Sequence, residues 1–500
     1  MIIEKINRTA QQLPEKTAII YEDQWINYAQ LKEIINKLTN GLKGSGIKKG
    51  DRVALMLPNV PHFVFSYFAL MQLGAIVVPI NYMLYEDDLN FVLNNAELKA
   101  IIYWENFRKE LKNFFQNCAD SVFKIVLGKQ KANDPFQLTE LMSRFPATEM
   151  DWDVAPGDVA LLQYTSGIAD VPVAVELTHE NLTENISMYI NYFKLTGNDI
   201  FGAFLPLFLI TNQNEILNAA VSLGAPLVLY SKFDISSTAK SIDSNKISVV
   251  SATPNFFRML IEFEDETFSG SSLKICISSH GNLSDELAEK FYEKFNISLL
   301  NSYSITETGG IIAAIHPSFE KLSGSVGLAF SGIELQIHDS FGEPLQNDKI
   351  GEIAVRTKYL FEKYWHNDEL SEKRLKNGWF YPGDFGKKNF DGYITLIETK
   401  INIIVKGGFQ IHTTEIEMLL AAHPKVRTTA IISQPYPEHK EDVLACVVLK
   451  ENESMTEQEI KEFCRQHIPV YKCPQAVKFF DELPRTKMGK IFKRKLQQQI

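Results

Sequence analysis

The chain has 500 residues, of which 45% are hydrophobic and 22% are charged, a composition typical of a soluble globular protein. This composition excludes a disordered chain, a coiled coil and a collagen-like fibre. At about 150 residues per domain, the length predicts two to four domains. The 51 Lys+Arg and 61 Asp+Glu give a net charge of −10, which argues against a dedicated nucleic-acid-binding protein because phosphate neutralisation needs a basic surface.

The cysteines and the amino-terminal segment indicate the compartment. The five cysteines are odd in number and lack C-x-x-C spacing, which argues against a disulfide framework or a zinc ribbon and favours a reducing cytoplasm. Residues 1–8 carry charges where a signal peptide needs an apolar segment. Residues 62–80 carry no formal charge, but Gln72, Gly74 and Pro79 interrupt them, which favours a buried helix and strand over a transmembrane segment.

Short apolar strands alternate with helical patterns along the first 400 residues. A helix is predicted over 61–73, and strands over 53–57, 75–78, 100–103, 124–127, 159–164, 225–229 and 273–277. This alternation predicts βαβ units and a parallel, doubly wound sheet, and therefore an α/β fold.

The character of the sequence changes from about Gly324 onward. Glycine and aspartate separate shorter strands, predicted over 334–338 and 352–356, which indicates a β-rich subdomain. The last hundred or so residues carry helices and strands of their own, which predicts a small α+β domain. These elements are helices over 414–422 and 456–467 and strands over 428–432 and 444–449. The basic residues of 487–495 are typical of a solvated tail.

The strand predicted over 159–164 leads directly into Thr165, Ser166 and Gly167, and a helix opens near residues 177–182. A strand that feeds a loop of small residues presents backbone N–H groups and hydroxyls to an anion. An ordinary turn explains these three residues equally well, because Ser, Thr and Gly are common turn residues.

Three later segments add polar groups of the same kind. Thr306 and Glu307 place a hydroxyl beside a carboxylate just after a predicted strand, 298–300, and oxygen ligands of this kind suit Mg²⁺. Asp384 follows a glycine turn, where its carboxylate is able to accept hydrogen bonds from ribose hydroxyls. Lys490 follows Gly489 near the carboxyl terminus. Each segment alone is typical of a surface turn, but together and in this order they form a specific constellation.

That order of motifs resembles the acyl-adenylate-forming superfamily, which includes acyl-CoA synthetases, fatty acyl-AMP ligases, peptide-synthetase adenylation domains and luciferases. The resemblance covers almost the whole chain, including residues 15–19, 27–31 and 50–54 and the terminal segment 483–494. It implies a large amino-terminal domain over 1–397, a hinge over 398–402 and a mobile carboxyl-terminal lid over 403–500. It also implies two half-reactions, in which a carboxylate and ATP give acyl-AMP and pyrophosphate, and a thiol or amine then takes the acyl group.

The resemblance also implies a role for each matching residue. Thr165, Ser166 and Gly167 would face the β- and γ-phosphates, and Tyr303 would stack near adenine. Mg²⁺ and the α-phosphate would be held by Thr306 and Glu307, ribose by Asp384, and the charge that develops as pyrophosphate leaves would be stabilised by Lys490. The implied catalytic residues are therefore Lys490, Thr306 and Glu307. The implied acceptor is CoA or the phosphopantetheine of an acyl carrier protein.

The sequence departs from the family pattern around the nucleotide. Members of the family usually continue Thr-Ser-Gly with Thr-Thr-Gly, one variable residue and Pro-Lys-Gly, whereas residues 168–174 here read Ile-Ala-Asp-Val-Pro-Val-Ala. Two hydroxyls, a lysine and two glycines are missing from this degenerate phosphate-binding loop, and Asp170 adds a negative charge. Pro382 and Thr399 replace a threonine and an arginine of two further motifs. These changes predict impaired ATP-dependent adenylation.

Three hypotheses follow for the function. The first is a divergent acyl-CoA synthetase or acyl-AMP ligase that uses ATP and Mg²⁺ on an apolar, fatty or aryl carboxylate. The apolar run 204–210 is compatible with an acyl pocket or with plain core. The second is an enzyme that skips adenylation and transfers an acyl group from a preformed acyl-adenylate or thioester to a thiol. The third is a non-catalytic protein that binds a ligand or a partner, in which Asp384 caps its turn and Lys490 is merely solvated.

Overall fold

The computed structural model describes residues 1–118, 121–129, 136–149, 153–165, 172–265, 267–281, 283–318, 323–399, 403–406, 409–436, 440–486 and 491–500. The chain divides into two compact units, and each is described by itself. The first unit comprises Met1–Lys349, Ile353–Pro382 and Lys387–Leu396, and the second comprises Ile350–Glu352, Gly383–Gly386 and Ile397–Ile500.

The α-helices of the described residues are numbered in chain order. They are α1 (Ile2–Gln12), α2 (Tyr28–Gly44), α3 (Pro61–Leu73), α4 (Glu86–Asn95), α5 (Lys112–Asn117), α6 (Leu138–Arg144), α7 (His179–Phe193), α8 (Ala219–Leu223), α9 (Ile235–Ser244), α10 (Pro254–Glu262), α11 (Asp285–Phe295), α12 (Asp368–Arg374), α13 (Thr413–Ala421), α14 (Glu457–His467) and α15 (Lys493–Gln498).

The strands are numbered in the same way. They are β1 (Thr17–Tyr21), β2 (Gln24–Asn27), β3 (Arg52–Met56), β4 (Ile76–Pro79), β5 (Ala100–Trp104), β6 (Phe123–Leu127), β7 (Phe136–Gln137), β8 (Val159–Thr165), β9 (Val173–Thr178), β10 (Phe201–Ala203), β11 (Leu227–Leu229), β12 (Val249–Ala252), β13 (Ile275–Ser278), β14 (Leu299–Ile305), β15 (Gly310–Ala314), β16 (Ser325–Ala329), β17 (Glu334–His338), β18 (Gly351–Arg356), β19 (Leu375–Lys376), β20 (Trp379–Phe380), β21 (Asp384–Lys388), β22 (Ile394–Thr399), β23 (Ile403–Lys406), β24 (Phe409–His412), β25 (Val426–Tyr436), β26 (Lys440–Leu449) and β27 (Ala476–Phe479).

One sheet of the first unit has the strand order β7-β6-β5-β3-β4-β8-β9. Its strands are parallel from β7 to β8, and β9 pairs antiparallel with β8. The helix α3 that connects β3 to β4 is buried along nearly its whole length, as expected for a crossover helix that covers a sheet face. Strand β9 lies at one edge of this sheet, and its antiparallel pairing with β8 sets Val173 opposite Thr165.

The second sheet of this unit contains the parallel series β1-β11-β10-β12-β13-β14. Strands β15 and β16 extend it antiparallel from β14. In a doubly wound sheet, ligands bind at the carboxyl ends of the parallel strands. The carboxyl ends of β12, β13 and β14 therefore mark the edge where a binding site is expected.

The second unit has a core of its own. A long antiparallel pair, β25 and β26, is joined by β27, which runs parallel to β26. The helices α13 and α14 cover this sheet through buried side chains that include Ile416, Leu420, Ile460 and Cys464. The predicted solvated tail is wrong at one position, because the Lys493 amine lies 2.8 Å from Glu417 Oε1 and donates to Thr413 Oγ1.

These observations confirm the predicted fold class, with doubly wound sheets in a large amino-terminal part and a smaller α+β part after it. The predicted helix 61–73 and strand 334–338 have the observed bounds. The domain boundaries at 397 and 403 stay predictions. Within the described ranges, no helix combines the length and the apolar composition that crossing a bilayer needs.

Candidate active site at the end of strand β14

The predicted metal-binding pair lies in a tight turn at the carboxyl end of β14. Residues Thr306–Thr308 form a single 3₁₀ turn, and Gly309 and Gly310 follow with φ values of +76° and +145°. Such backbone angles suit glycine, which lets the chain reverse at once into β15. The Thr308 hydroxyl closes the turn, because its oxygen lies 3.1 Å from the carbonyl oxygens of Ile305 and Gly310.

The Glu307 side chain is held from the opposite side of the turn. It is 3% exposed, and Tyr364 Oη donates a hydrogen bond to Glu307 Oε1 at 2.6 Å. The Phe361 N–H donates to the Glu307 carbonyl oxygen at 2.9 Å. Burial and the negative charge of Glu307 both raise the pKa of Tyr364 far above its usual value. The phenol therefore stays protonated and acts as a permanent donor to the carboxylate.

The same tyrosine connects this turn to the hairpin that carries Thr165. Tyr364 bridges to Val175 of β9, and the Trp365 N–H donates to the Ala174 carbonyl oxygen at 2.9 Å. Strand β9 pairs in turn with β8, in a register that sets Val173 opposite Thr165. The half-buried Thr165 and the Thr306–Glu307 turn are thus attached to one connected framework within the first unit.

Other predicted residues of the phosphate loop lie outside the described residues, namely Ser166, Gly167 and Asp170. Val173, which stands where the family has lysine, is 4% exposed and packs in the main hydrophobic core. This position therefore holds an apolar core side chain, and a lysine here would have to bury its stem.

Tyr303 corrects one detail of the sequence interpretation. The motif of residues 301–308 was expected just after a strand, but residues 301–305 are part of β14 itself. Tyr303 pairs with Ala313 and is 5% exposed, in contact with the main core. The strand extends beyond the predicted 298–300 because the buried Tyr303 and Ile305 alternate with the less buried Ser302 and Ser304, as in a half-buried strand. The stacking role near adenine stays a prediction.

The two remaining predicted residues belong to the second unit or to undescribed segments. Asp384 begins β21 directly after Gly383, whose φ of +89° confirms the glycine turn, and its side chain is half-buried. Lys490 lies outside the described residues. The framework that joins Thr165, Tyr303, Thr306 and Glu307 is therefore a property of the first unit alone.

The sequence interpretation missed a buried acid that faces this strand edge. A π-helical segment, Asn212–Asn218, contains Glu215, which is 1% exposed. Ser251 Oγ donates to Glu215 Oε2 at 2.7 Å, and Ser304 Oγ donates to Oε1 at 3.3 Å. Burial raises the pKa of Glu215 to about 7, although the two serine hydrogen bonds lower it.

The same π-helical segment touches the glycine turn and the strand that follows. Asn214 Nδ2 donates to the Gly309 carbonyl oxygen at 2.8 Å. Just before the segment, Thr211 Oγ1 lies 2.6 Å from Nε2 of His280.

The sequence contained a signal of this buried polar segment, because four polar residues, Asn-Gln-Asn-Glu, interrupt an apolar stretch at 212–215. In a buried helix such a run indicates polar contacts inside the protein.

Comparison with known proteins identifies the family of the chain. The family model described as "AMP-binding enzyme" matches residues 6–365, and the model of its C-terminal domain matches residues 415–490. The crotonobetaine/carnitine–CoA ligase of Proteus mirabilis strain HI4320 is 30% identical over 98% of this chain and 97% of its own length. The long-chain-fatty-acid–CoA ligase of Bacillus subtilis strain 168 is 29% identical over 98% of this chain and 92% of its own.

Among solved structures, the o-succinylbenzoate CoA synthetase of Bacillus subtilis, in complex with its acyl-adenylate intermediate, superposes with a TM-score of 0.84. The alignment covers 99% of this chain and 97% of that one at 26% identity. With both domain models on the sequence and CoA ligases aligned over nearly its full length, the chain belongs to the AMP-binding enzyme family and is an acyl-CoA synthetase-like ligase.

Proposed function

We propose that the protein joins a small carboxylate to CoA through an acyl-adenylate, and that its adenylation step is slow. The observation that carries this proposal is the position of Glu307, a buried carboxylate fixed by the Tyr364 hydroxyl at 2.6 Å at the end of β14. A fixed carboxylate at the carboxyl end of a parallel strand, where doubly wound sheets bind ligands, suits a Mg²⁺ ion that is shared with a nucleotide. The pair therefore supports a working catalytic site.

The residues of the turn fit a magnesium ion that is shared with a nucleotide. Among the described residues, no group of three or more His, Cys, Asp or Glu side chains is arranged to hold a metal. Mg²⁺ at nucleotide sites is usually held by one or two carboxylates together with substrate phosphates and water. Glu307 and the Thr306 hydroxyl supply such a small oxygen set, and Mg²⁺ there would neutralise charge on the phosphates.

In the proposed reaction, a carboxylate oxygen attacks the α-phosphorus of ATP, and pyrophosphate leaves. A thiol sulfur then attacks the acyl carbon, and AMP leaves. Thr165, Ser166 and Gly167 would orient the leaving pyrophosphate, Tyr303 and Asp384 would bind adenine and ribose, and Lys490 would stabilise the developing charge. Phosphoryl chemistry of this kind depends on positioning and on electrostatic stabilisation rather than on covalent help from the protein.

The loop after Thr165 is the reason to expect slow adenylation. A charge of Asp170 about 4 Å from a phosphate charge would cost about 4 kcal/mol at an effective dielectric of 20. The loss of one preorganised donor typically costs about 10²–10³ in rate, and Val173 replaces the lysine with a buried apolar side chain. The same loop favours a second candidate function, transfer of an acyl group from a preformed acyl-adenylate or thioester to a thiol.

The apolar residues 204–210 indicate what kind of acyl group the protein would accept. Within the apolar run 204–210, Phe204, Leu207, Phe208 and Ile210 are buried, and Phe208 packs edge-on against Tyr82, so this run suits the hydrocarbon part of an acyl group. The two relatives are named for different acids, crotonobetaine or carnitine in one and long-chain fatty acids in the other. We take CoA as the acceptor, with a carrier protein as the second choice. We place the reaction in the cytoplasm, where the five cysteines would remain thiols.

The test measures the two half-reactions separately. Pyrophosphate release with ATP and a panel of carboxylic acids reports adenylation, and thioester formation from synthetic acyl-adenylates and CoA reports the transfer. We expect slow release and faster transfer. Glu307→Gln and Lys490→Ala should abolish release, and Glu286→Gln, which removes an exposed acid on α11, should change neither step. Release without transfer would contradict a CoA ligase, and transfer without release would favour the second candidate.

A further inference from the structure

We propose that Glu215 selects the substrate, and that its carboxylate receives a cationic nitrogen carried by the acyl part of the carboxylate that the enzyme activates. The proposal rests on the proposed function, because it names the class of acid that the ligase accepts. In this view the substrate is an amino- or trimethylammonio-substituted carboxylate rather than a plain fatty acid.

Two serine hydroxyls bind the carboxylate of Glu215. Its two hydrogen-bond donors come from two parallel strands on either side of β13, Ser251 near the carboxyl end of β12 and Ser304 near that of β14. Between them, Ser279 follows β13 directly, and its Oγ lies 3.5 Å from that of Ser251. The carboxylate therefore faces the strand edge at which doubly wound sheets bind ligands, and one of its donors lies two residues before Thr306.

Among the described residues, no lysine, arginine or histidine forms an ion pair with Glu215, and only the two serines act on its carboxylate besides burial. Buried carboxylates are normally paired with a positive charge or bound to a metal, because an isolated charge is costly in a low dielectric. Two hydroxyl donors orient this carboxylate but supply no charge. A cationic ligand would supply it.

Nearby polar groups support a ligand at this place. Tyr189 is fully buried, its hydroxyl has no hydrogen-bond partner in the described part of the chain, and the charge of Glu215 helps to raise its pKa. Glu215 lies in a π-helical segment, a geometry that frequently marks functional sites. His280, bonded to Thr211 one helical turn before Glu215, has a φ of +60°, a strained value for a residue with a side chain.

The pKa of about 7 for Glu215 fits a carboxyl group whose positive partner is supplied by a ligand. A carboxyl with this pKa is divided between its neutral and ionised forms near neutral pH. A cation beside it would hold it ionised, because an opposite charge at close range favours the charged form. A plain alkyl chain would leave it protonated and would gain nothing from an acid in that position.

The test uses two acids of nearly the same shape, 4-(trimethylammonio)butanoate and 5,5-dimethylhexanoate, which differ in one positive charge. Their synthetic adenylates are given with CoA to the full-length protein, so that slow adenylation does not limit the measurement. We expect a kcat/KM at least about tenfold higher for the cationic compound, in keeping with one desolvated charge pair. Glu215→Gln should remove this preference, because kcat/KM for the cationic compound should fall to about that of the neutral one.

A matched control is Asp199→Asn, which neutralises another buried acid. Asp199 lies just before the amino-terminal end of β10, whereas Glu215 is bonded near the carboxyl ends of β12 and β14. Asp199 binds Thr196, Ser248 and Lys274. This variant should lose stability without any change in the ratio of the two rates. If Glu215→Gln fails to fold, Ser304→Ala removes one donor from the carboxylate and should lower the preference in the same direction.

A binding measurement makes the proposal independent of turnover. The rise in melting temperature caused by each adenylate should be larger for the cationic compound, and Glu215→Gln should erase the difference. Equal shifts in the unmodified protein, or a preference that survives Glu215→Gln, would overturn the role of Glu215. Failure of the proposed function would look different. No carboxylate would then give a CoA thioester, but the rise in melting temperature would still differ between the two adenylates.

Discussion

The Tyr364 hydroxyl donates a hydrogen bond of 2.6 Å to Oε1 of Glu307, and both side chains are buried. The two residues lie 57 positions apart in the sequence. Tyr364 is itself fixed by a bridge to Val175 of β9. Strand β9 of one sheet therefore fixes Tyr364, and the Tyr364 hydroxyl fixes the Glu307 carboxylate at the end of β14 in the other sheet. In this arrangement Tyr364 is a positioning residue for Glu307 rather than a group that touches the nucleotide.

Tyr364→Phe should remove this hydrogen bond and leave a buried carboxylate oxygen without its donor. We expect a loss of about 1–3 kcal/mol in the free energy of unfolding. Pyrophosphate release should fall about 10–100-fold, because partners that orient a metal-binding carboxylate typically have effects of this size. Titration with Mg²⁺ should show a weaker apparent affinity, which a purely structural role would leave unchanged. Tyr292→Phe, on the exposed face of α11, is the control, and equal behaviour of the two variants would refute the positioning role.

The two glycines after the turn should differ in their tolerance of a side chain. A Cβ on Gly309 would meet its nearest neighbours at 3.5 Å, so Gly309→Ala should cost only the strain of its left-handed backbone, about 1 kcal/mol. A Cβ on Gly310, at a φ of +145°, would lie 2.8 Å from Asn185 Oδ1. Gly310→Ala should therefore cost about 2–3 kcal/mol. Urea unfolding of the pair checks the order, and an equal loss in both would show that the backbone relaxes here.

Removal of the charge of Asp170 should strengthen ATP binding. Asp170→Asn changes the charge alone and Asp170→Gly restores the family residue, so similar gains would identify charge as the cause. We expect Kd to fall about tenfold or more, because even a screened repulsion of about 1.4 kcal/mol gives this factor. Calorimetry with ATP·Mg²⁺ measures it, and an unchanged Kd would mean that the loop does not face phosphates. A lysine at Val173 is a poor repair, because that side chain is in the core.

The sequence was sufficient for the elements whose patterns are local. The helix α3 begins at Pro61 and ends before Gly74, two residues that mark helix termini by their own backbone preferences. The motif order along the chain was sufficient for the family, because Thr165, Thr306 and Asp384 each stand beside strand and turn signals. The end of β14 was misplaced, because polar residues such as Ser302 and Ser304 alternate in a strand as readily as they occupy a loop.

The contacts that define the candidate site were not accessible in this way. The bond between Tyr364 and Glu307, and the bonds of Glu215 with Ser251 and Ser304, join residues from 36 to 89 positions apart. No local pattern encodes such pairs, since they depend on how strands are ordered in the sheet. The buried polar run before Ile216 was a visible anomaly, but only the fold shows which groups it meets.

The stability of the protein should depend on pH through Glu215. Its pKa rises from 4.5 to about 7 on folding, so the folded state binds the proton more tightly, and the stability from this proton is lost as pH rises through 7. Relative to Glu215→Gln, the free energy of unfolding of the unmodified protein should fall by about 3 kcal/mol between pH 4.5 and 8. The neighbouring Tyr189 stays neutral throughout, because its pKa is raised. His179, whose burial lowers its pKa to about 4, titrates alike in both proteins. Urea unfolding across this range measures the difference, and a constant difference would mean that Glu215 is already ionised in the folded protein.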